Sequence, residues 1–287
     1  MILDENYTLS NGVQIPKLGL GTWFINDNDA AEAVRQAVAV GYRHIDTAEA
    51  YKNESGVGEG VRTCGVPRDQ IFVNTKVDAN AKTYDKAMEK IDGSISKMGL
   101  DYLDMMIIHS PQPWSKWRKA NNRYFDENIE VWKALEDAYS EGKLKAIGVS
   151  NFLQDDLENI LSHCKIKPMV NQILTHISNT SLNLIEFCQK NDILVEAYSP
   201  IAHGKVLKNE KIAAIAQKYN VTIAQLCIRY VLQLGAVALP KTANPIHMKE
   251  NADVEFTISE SDMEVLKNFE KIKSYGMMRI MPVFRGK

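Results

Sequence analysis

The chain has 287 residues, 45% of them hydrophobic, and a formal charge of −2 from 34 Lys and Arg against 36 Asp and Glu. That length supports one large core, and interspersed charges leave no basic face for nucleic acid, so a small-molecule partner is expected. Four cysteines (Cys64, Cys164, Cys188, Cys227) without C-x-x-C or Cys/His spacing argue against a disulfide scaffold or structural metal, while the polar MILDENYTLS start and short apolar runs predict a cytoplasmic protein with no membrane association.

The first element is a hairpin: TLSNGVQIP places Asn11-Gly12 between β-compatible residues, where a small ribbon would cap a barrel floor. Apolar runs then alternate with amphipathic stretches. A strand over 17–21 precedes a helix over 29–40, and a strand over 43–47 precedes a helix over 55–64. Strand 71–77 is followed by helix 83–98, and strand 104–109 by a long stretch, 110–126, before helix 128–141. Strands 145–150, 169–172 and 193–199 lead into helices 153–161, 182–190 and 209–219 with 222–234. The eighth strand covers 236–240. Eight short strands separated by helices predict an α/β fold, a (β/α)8 TIM barrel in one domain over 1–287, with a doubly wound sheet as the alternative. The 110–126 stretch carries Trp114, Trp117 and Tyr124, and a long loop at the upper rim suits substrate binding.

Four polar residues sit where these strands run out. Asp46 ends YRHID, Tyr51 lies five residues on, Lys76 closes IFVNTK and His109 closes DMMIIH. A carboxylate, a phenol, an ammonium and an imidazole beside barrel-interior backbone are costly to bury unless they satisfy one another. Carbonyl reduction needs such a set. Tyr51 is the natural proton donor, Lys76 the cation expected to lower its pKa, Asp46 the partner that keeps Lys76 charged, and His109 a donor to the substrate oxygen. Singly, each has a plainer reading as an ion pair, a satisfied core histidine or a rim aromatic.

The motifs LGLGTW (18–23), GYRHIDTAEAYKNE (41–54), NTKV (74–77), IIH (107–109), GKLKAIGVSNF (142–152), VNQI (170–173), EAYSP (196–200), LPKT (239–242) and KEN (249–251) occur in this order. Together they resemble the aldo-keto reductase family over essentially the whole chain, in particular bacterial aldehyde and ketone reductases similar to 2,5-diketo-D-gluconate reductases. The resemblance implies an NADPH-dependent oxidoreductase of the alcohol dehydrogenase (NADP+) type, monomeric, with the same roles for Asp46, Tyr51, Lys76 and His109. The chain lacks a Rossmann fingerprint: Gly56-Val57-Gly58-Glu59-Gly60 has the wrong spacing and reads as a closely packed helix face. Phosphate is instead expected near LPKTANPIHMKEN, where Asn244 and Pro245 suit the cap and first turn of a short helix.

By resemblance, Lys241, Thr242 and Asn244 would hold the adenosine 2'-phosphate, and Glu250 and Asn251 would contact the adenine. Ser150, Asn151 and Gln172 would bind the nicotinamide carboxamide, with Tyr198 stacked on the ring and Thr22, Asp46 and Ser199 along the same path. Two positions depart from the family: His247 stands where many NADPH-dependent members carry Arg, and Ser110 where many carry Trp. NADPH is therefore the expected reductant with NADH as a second donor, and Trp114 is expected to fill the space beside His109. Trp23, His109 and Trp114, with Phe24, suggest an aromatic substrate pocket, which Trp117 either joins or, beside Lys116 and Arg118, leaves to cover surface. The tail residues Met277, Met278, Met281 and Phe284 are expected either to fold over its mouth or to pack against the barrel side, with pocket contact slightly favoured. Two competing functions are a Schiff-base aldolase using Lys76 and a non-catalytic nicotinamide-binding, redox-sensing barrel.

Overall fold

The computed structural model describes residues 1–118, 121–272 and 274–284. The chain enters through an antiparallel hairpin, β1 (Asn6–Thr8) and β2 (Gln14–Pro16), with Tyr7 opposite Ile15. Gly12 turns the chain at φ +88°, a conformation a side chain resists. Beside it, Asn11 Nδ2 donates to Lys145 O at 2.9 Å, which ties the hairpin to the start of a barrel strand and so to the barrel floor.

Eight parallel strands follow: β3 (Leu20–Gly21), β4 (His44–Asp46), β5 (Phe72–Val77), β6 (Met105–Ile108), β7 (Ile147–Ser150), β8 (Val170–Leu174), β9 (Leu194–Tyr198) and β10 (Val237–Leu239). Each pairs with the next, and parallel bridges from Leu18 to Ala238 and Gly21 to Lys241 bring the last strand back to the first. This is the expected (β/α)8 barrel. Parallel strands covered on both faces read as continuous runs rather than alternations, and β5, β6 and β7 are buried at every position.

The predicted helices appear as α1 (Asp27–Val40), α2 (Glu54–Thr63), α3 (Tyr84–Met98), α4 (Phe125–Ser140), α5 (Gln154–Leu161), α6 (Leu182–Lys190), α7 (Glu210–Lys218) and α8 (Ile223–Gln233). Helix α4 starts three residues before its predicted first residue, so it takes up the end of the 110–126 stretch. There the Asn122 side chain accepts from Tyr124 N at 2.8 Å and turns the chain into the helix. Residues 119 and 120 of that stretch lie outside the described residues. The three glycines of α2 pack as anticipated. A Cβ on Gly56 would collide with Asp27 O of α1 and one on Gly58 with Met98 O of α3, while one on Gly60 would come within 2.6 Å of Val34. They let helices approach closely. Helix α9 (Pro245–Ala252) has Asn244 as its cap, the side chain accepting from Ile246 N at 2.9 Å, with Pro245 in the first turn. Helix α10 (Glu260–Lys267), capped by Ser259, was not anticipated from the sequence.

Candidate active site

The upper ends of four strands present a connected polar floor. Side chains two apart on a strand share a face, so His44 and Asp46 on β4, Asn74 and Lys76 on β5, and Glu196 and Tyr198 on β9 fall into matching pairs. Lys76 Nζ donates to Asp46 Oδ1 at 2.7 Å, Asp46 Oδ2 at 2.8 Å and Thr47 O at 2.7 Å. Asp46 Oδ1 also accepts from Asn74 Nδ2 at 2.7 Å and Gln172 Nε2 at 2.8 Å. The pair is almost fully enclosed, with side-chain exposures of 1% and 5%, so its charges are compensated by contact rather than by water.

Tyr51 closes a short turn, Glu49–Tyr51, that follows β4. Glu49 pins this turn from behind by accepting from Lys90 at 2.9 Å and Lys97 at 3.2 Å on α3. The Tyr51 ring lies 5.2 Å from Lys76 Nζ and 5.8 Å from the His109 ring. One expectation is corrected. Burial first and the Asp46 charge second hold the Tyr51 phenol well above its usual range, whereas Lys76 was expected to lower it. The reason is burial: desolvation of the phenolate is the larger effect, the Asp46 charge adds to it, and the Lys76 ammonium is engaged by three acceptors on Asp46 and Thr47. Burial, then the Lys76 charge, holds His109 well below the ordinary histidine value, so its ring is neutral, and its Nδ1 is buried without a hydrogen-bond partner.

Above this floor opens a cavity of about 590 Å³. Tyr51, His109, Asp46, Gln172, Ser150, Asn151, Tyr198, Ser199 and Lys241 all line it, as do Trp23, Phe24 and Trp114. Asn151 joins several of them, its Nδ2 donating to His109 O at 3.1 Å and Ser150 Oγ at 2.9 Å and its Oδ1 accepting from Tyr198 at 2.7 Å. Thr22 is buried behind the wall, its hydroxyl donating to Asp46 O at 3.0 Å, and does not line the cavity. Trp114 stands edge-on to His109 at 5.0 Å, in the space expected of it, while Ser110 is buried and donates to Gln112 O at 2.7 Å. Trp117 packs on Trp114 at 5.4 Å and is covered by Arg118, outside the cavity. Several non-glycine residues of the loops above the strands, among them Phe24, Lys52, Asn151, Ser199 and His203, adopt positive φ, a strain typical of functional loops.

The model of the Aldo/keto reductase family matches residues 17–271. The chain belongs to the aldo/keto reductase family. It is 39% identical to the glyoxal reductase of Bacillus subtilis, covering 96% of each chain. It is 40% identical to the 9,11-endoperoxide prostaglandin H2 reductase of Trypanosoma cruzi, covering 94% of this chain and 93% of that protein. Among solved structures, a Bombyx mori aldo-keto reductase in complex with NADP superposes with a TM-score of 0.83 at 30% identity, covering 93% of each chain.

In this aldo/keto reductase the remaining predicted residues lie at the edge of the cavity and beyond it, where β10 hands over to α9. Lys241 is exposed and lines the cavity edge. Thr242 is buried, its hydroxyl accepting from Asn244 N at 3.0 Å. His247 and Glu250 are exposed on α9 and Asn251 is buried there. Tyr42 donates to Met248 O at 3.0 Å and holds α9 against the barrel. The tail does reach the mouth: Met281, Pro282 and Val283 line the cavity, and buried Phe284 stacks 6.2 Å from Trp23. Met277 instead points to solvent at 90% exposure, Met278 packs on the core away from the cavity, and residues 285–287 lie outside the described residues.

Sequence reasoning overlooked Glu196, His44, Ile201 and His203. The first two carried a signal, a charged and an ionisable residue set within strands that otherwise bury apolar groups. The last two carried none, because a loop's reach is invisible in its composition. Lys82 was also unremarked. It is buried, donates to Ser110 O at 2.9 Å and Asn128 Oδ1 at 2.8 Å, and burial brings its pKa down to about 7.

Proposed function

We propose that the chain reduces aldehydes and ketones to alcohols with NADPH, acting as a single barrel domain with Tyr51 as general acid. The observation that carries this reading is the placement of Tyr51 and neutral His109 together at the base of an apolar-walled cavity, above the enclosed Asp46–Lys76 pair.

The residues present fit a nicotinamide nucleotide. Gln172 gives both amide protons to Asp46 and Glu196, so its carbonyl oxygen is the group it has left to offer the carboxamide. Ser150 and Asn151 would complete that contact, and the Tyr198 ring would carry the nicotinamide face. Lys241, Thr242 and Asn244 would hold the 2'-phosphate at the start of α9, with His247, Glu250 and Asn251 toward the adenine. Bound NADPH supplies the hydride for the carbonyl carbon.

As charge develops on the carbonyl oxygen, the Tyr51 hydroxyl is the proton source: its O–H bond breaks as the alcohol O–H forms, and the phenolate regains a proton from solvent. A phenol kept protonated by burial is in the form this step requires. His109, neutral with one N–H, donates to the same oxygen and orients it. Lys76, its ammonium 5.2 Å from the Tyr51 ring, is the cation that offsets the transient phenolate, and Asp46 holds it in place while its own charge keeps the resting phenol protonated. The engagement of Lys76 by two carboxylate oxygens and a carbonyl disfavours a Schiff-base role, which needs a free amine.

The test is oxidation of NADPH and of NADH followed by absorbance against an activated aromatic aldehyde and a dicarbonyl, with wild type and Tyr51→Phe. Turnover that Tyr51→Phe abolishes is expected. Tight NADPH binding with no turnover of any carbonyl would instead support a redox-sensing barrel.

A further inference from the structure

The floor continues below the residues assigned to the reaction. Gln172 Nε2 donates to Asp46 Oδ1 at 2.8 Å and to Glu196 Oε2 at 2.9 Å, so one amide bridges two carboxyl groups. Both are enclosed, Glu196 at 0% exposure and Asp46 at 4%. Asp46 has Lys76 to balance its charge. Among the described residues Glu196 has no such cation at bonding distance: its Oε1 lacks a hydrogen-bond partner and faces His44 Nε2 at 3.5 Å, and the His44 ring is itself fully buried, with a backbone hydrogen bond to Pro16 its one polar contact besides Glu196.

Two carboxylates sharing one amide in a low-dielectric interior cannot both ionise cheaply, and the member without a cation retains its proton. The charged and titratable groups facing Glu196 are His44 and Asp46 from β4 and Lys76 from β5. The neighbouring strands contribute Gln172 from β8 and apolar Val237 from β10. His44 does not compete for the proton, because burial brings its pKa down to about 4, while burial and the nearby Asp46 charge push Glu196 up.

We propose that Glu196 is a positioning residue for the reduction, a buried neutral carboxylic acid that points its proton toward His44 and, through Gln172, fixes Asp46 and the nicotinamide-facing amide in register. With Glu196 neutral, the Asp46–Lys76 pair is the balanced charge beneath Tyr51. Ionisation of Glu196 would add an uncompensated negative charge there, which disfavours charge on Tyr51 and on the substrate oxygen. This rests on the reductase reading for its kinetic consequences but not for the protonation itself.

The deciding experiment pairs infrared spectroscopy with kinetics on wild type, Glu196→Gln and Glu196→Leu. The wild-type minus Glu196→Gln difference spectrum at pH 7 is expected to show a protonated-carboxyl stretch that fades as pH rises through about 8. In parallel, wild-type kcat/KM should fall above that pH. Glu196→Gln, which keeps an acceptor for Gln172 and a donor for His44, should lose this alkaline limb and stay within about threefold of wild type at pH 7. Glu196→Leu should lose about tenfold or more, as misplaced catalytic groups do. Absence of the carboxyl band overturns the proposal whether or not the chain turns over carbonyls. An alkaline limb unchanged in Glu196→Gln, or equal losses in both variants, overturns it as well. A carboxyl band in a chain that reduces no carbonyl upholds the neutral acid and overturns the reductase reading instead.

Discussion

The floor of the site and its rim obey different rules. Asp46, Lys76, Gln172 and Glu196 stand on strands whose register is set by ladder hydrogen bonds, for example Asp46 beside Asn74 and Gln172 beside Glu196. Displacing one of them means shifting a strand, and a one-residue slip would turn the whole set out of the barrel. Trp23, Trp114, Ile201 and the Met281–Val283 segment come from three loops and the chain's tail, held mainly by ring contacts such as Trp23 with Phe284. The comparison teaches that this fold can keep its chemistry while its specificity drifts. Strand ends are fixed by the sheet, whereas loops can change without unfolding it.

That contrast can be broken or sharpened at several points. The largest effect is expected from Tyr51→Phe, which removes the acid but keeps the ring: kcat should drop by about 10² to 10⁴ with NADPH affinity retained in fluorescence titration. Near-normal turnover would move the proton donor elsewhere. Next, Asp46→Leu leaves the Lys76 ammonium buried and unpaired, at a cost of about 3–5 kcal/mol. Calorimetry should therefore show Tm lowered by roughly 10 °C. A shift of only a degree or two would mean that water reaches the floor.

At the cofactor end, Lys241→Ala should raise Kd for NADPH by about tenfold and leave NADH nearly unaffected, since only the former carries the 2'-phosphate. Equal weakening of both would relocate the phosphate contact. On the rim, Trp114→Ala should raise KM several-fold for aromatic aldehydes while kcat and Tm change little; a large loss of kcat would show that Trp114 orients His109 and belongs functionally to the floor.

The smallest effect is a pH dependence. His44 and His203 are both lowered by burial to about 4. Each contributes stability that is present above the unfolded histidine value near 6.5 and is lost as pH falls through about 4, because the unfolded chain binds the proton first. Thermal unfolding should show Tm declining across that window. Glu196 works in the opposite sense: its raised value contributes stability at low pH that is lost as pH rises through about 8.

Much of the floor was legible before the structure, residue by residue. Asp46, Lys76 and His109 could be placed because each closes an apolar run, and a polar side chain there must face either the barrel axis or water. Eight strand-helix alternations determined the barrel, Asn11-Gly12 the hairpin, and Asn244-Pro245 the start of α9, since turn and cap chemistry depends on near neighbours alone. Only the tertiary structure decided that Glu196 and His44 meet, that Thr47 joins Asp46 on Lys76 while burial raises Tyr51, and that residues 281–283 line the cavity. Those outcomes depend on distances between segments up to 262 positions apart in the chain, from Gly21 to Val283, and on how much water the packed barrel excludes. Neither is encoded in any local run of residues. A side chain's type and spacing announce what it can do; its proton affinity and its partners are set by what folds against it.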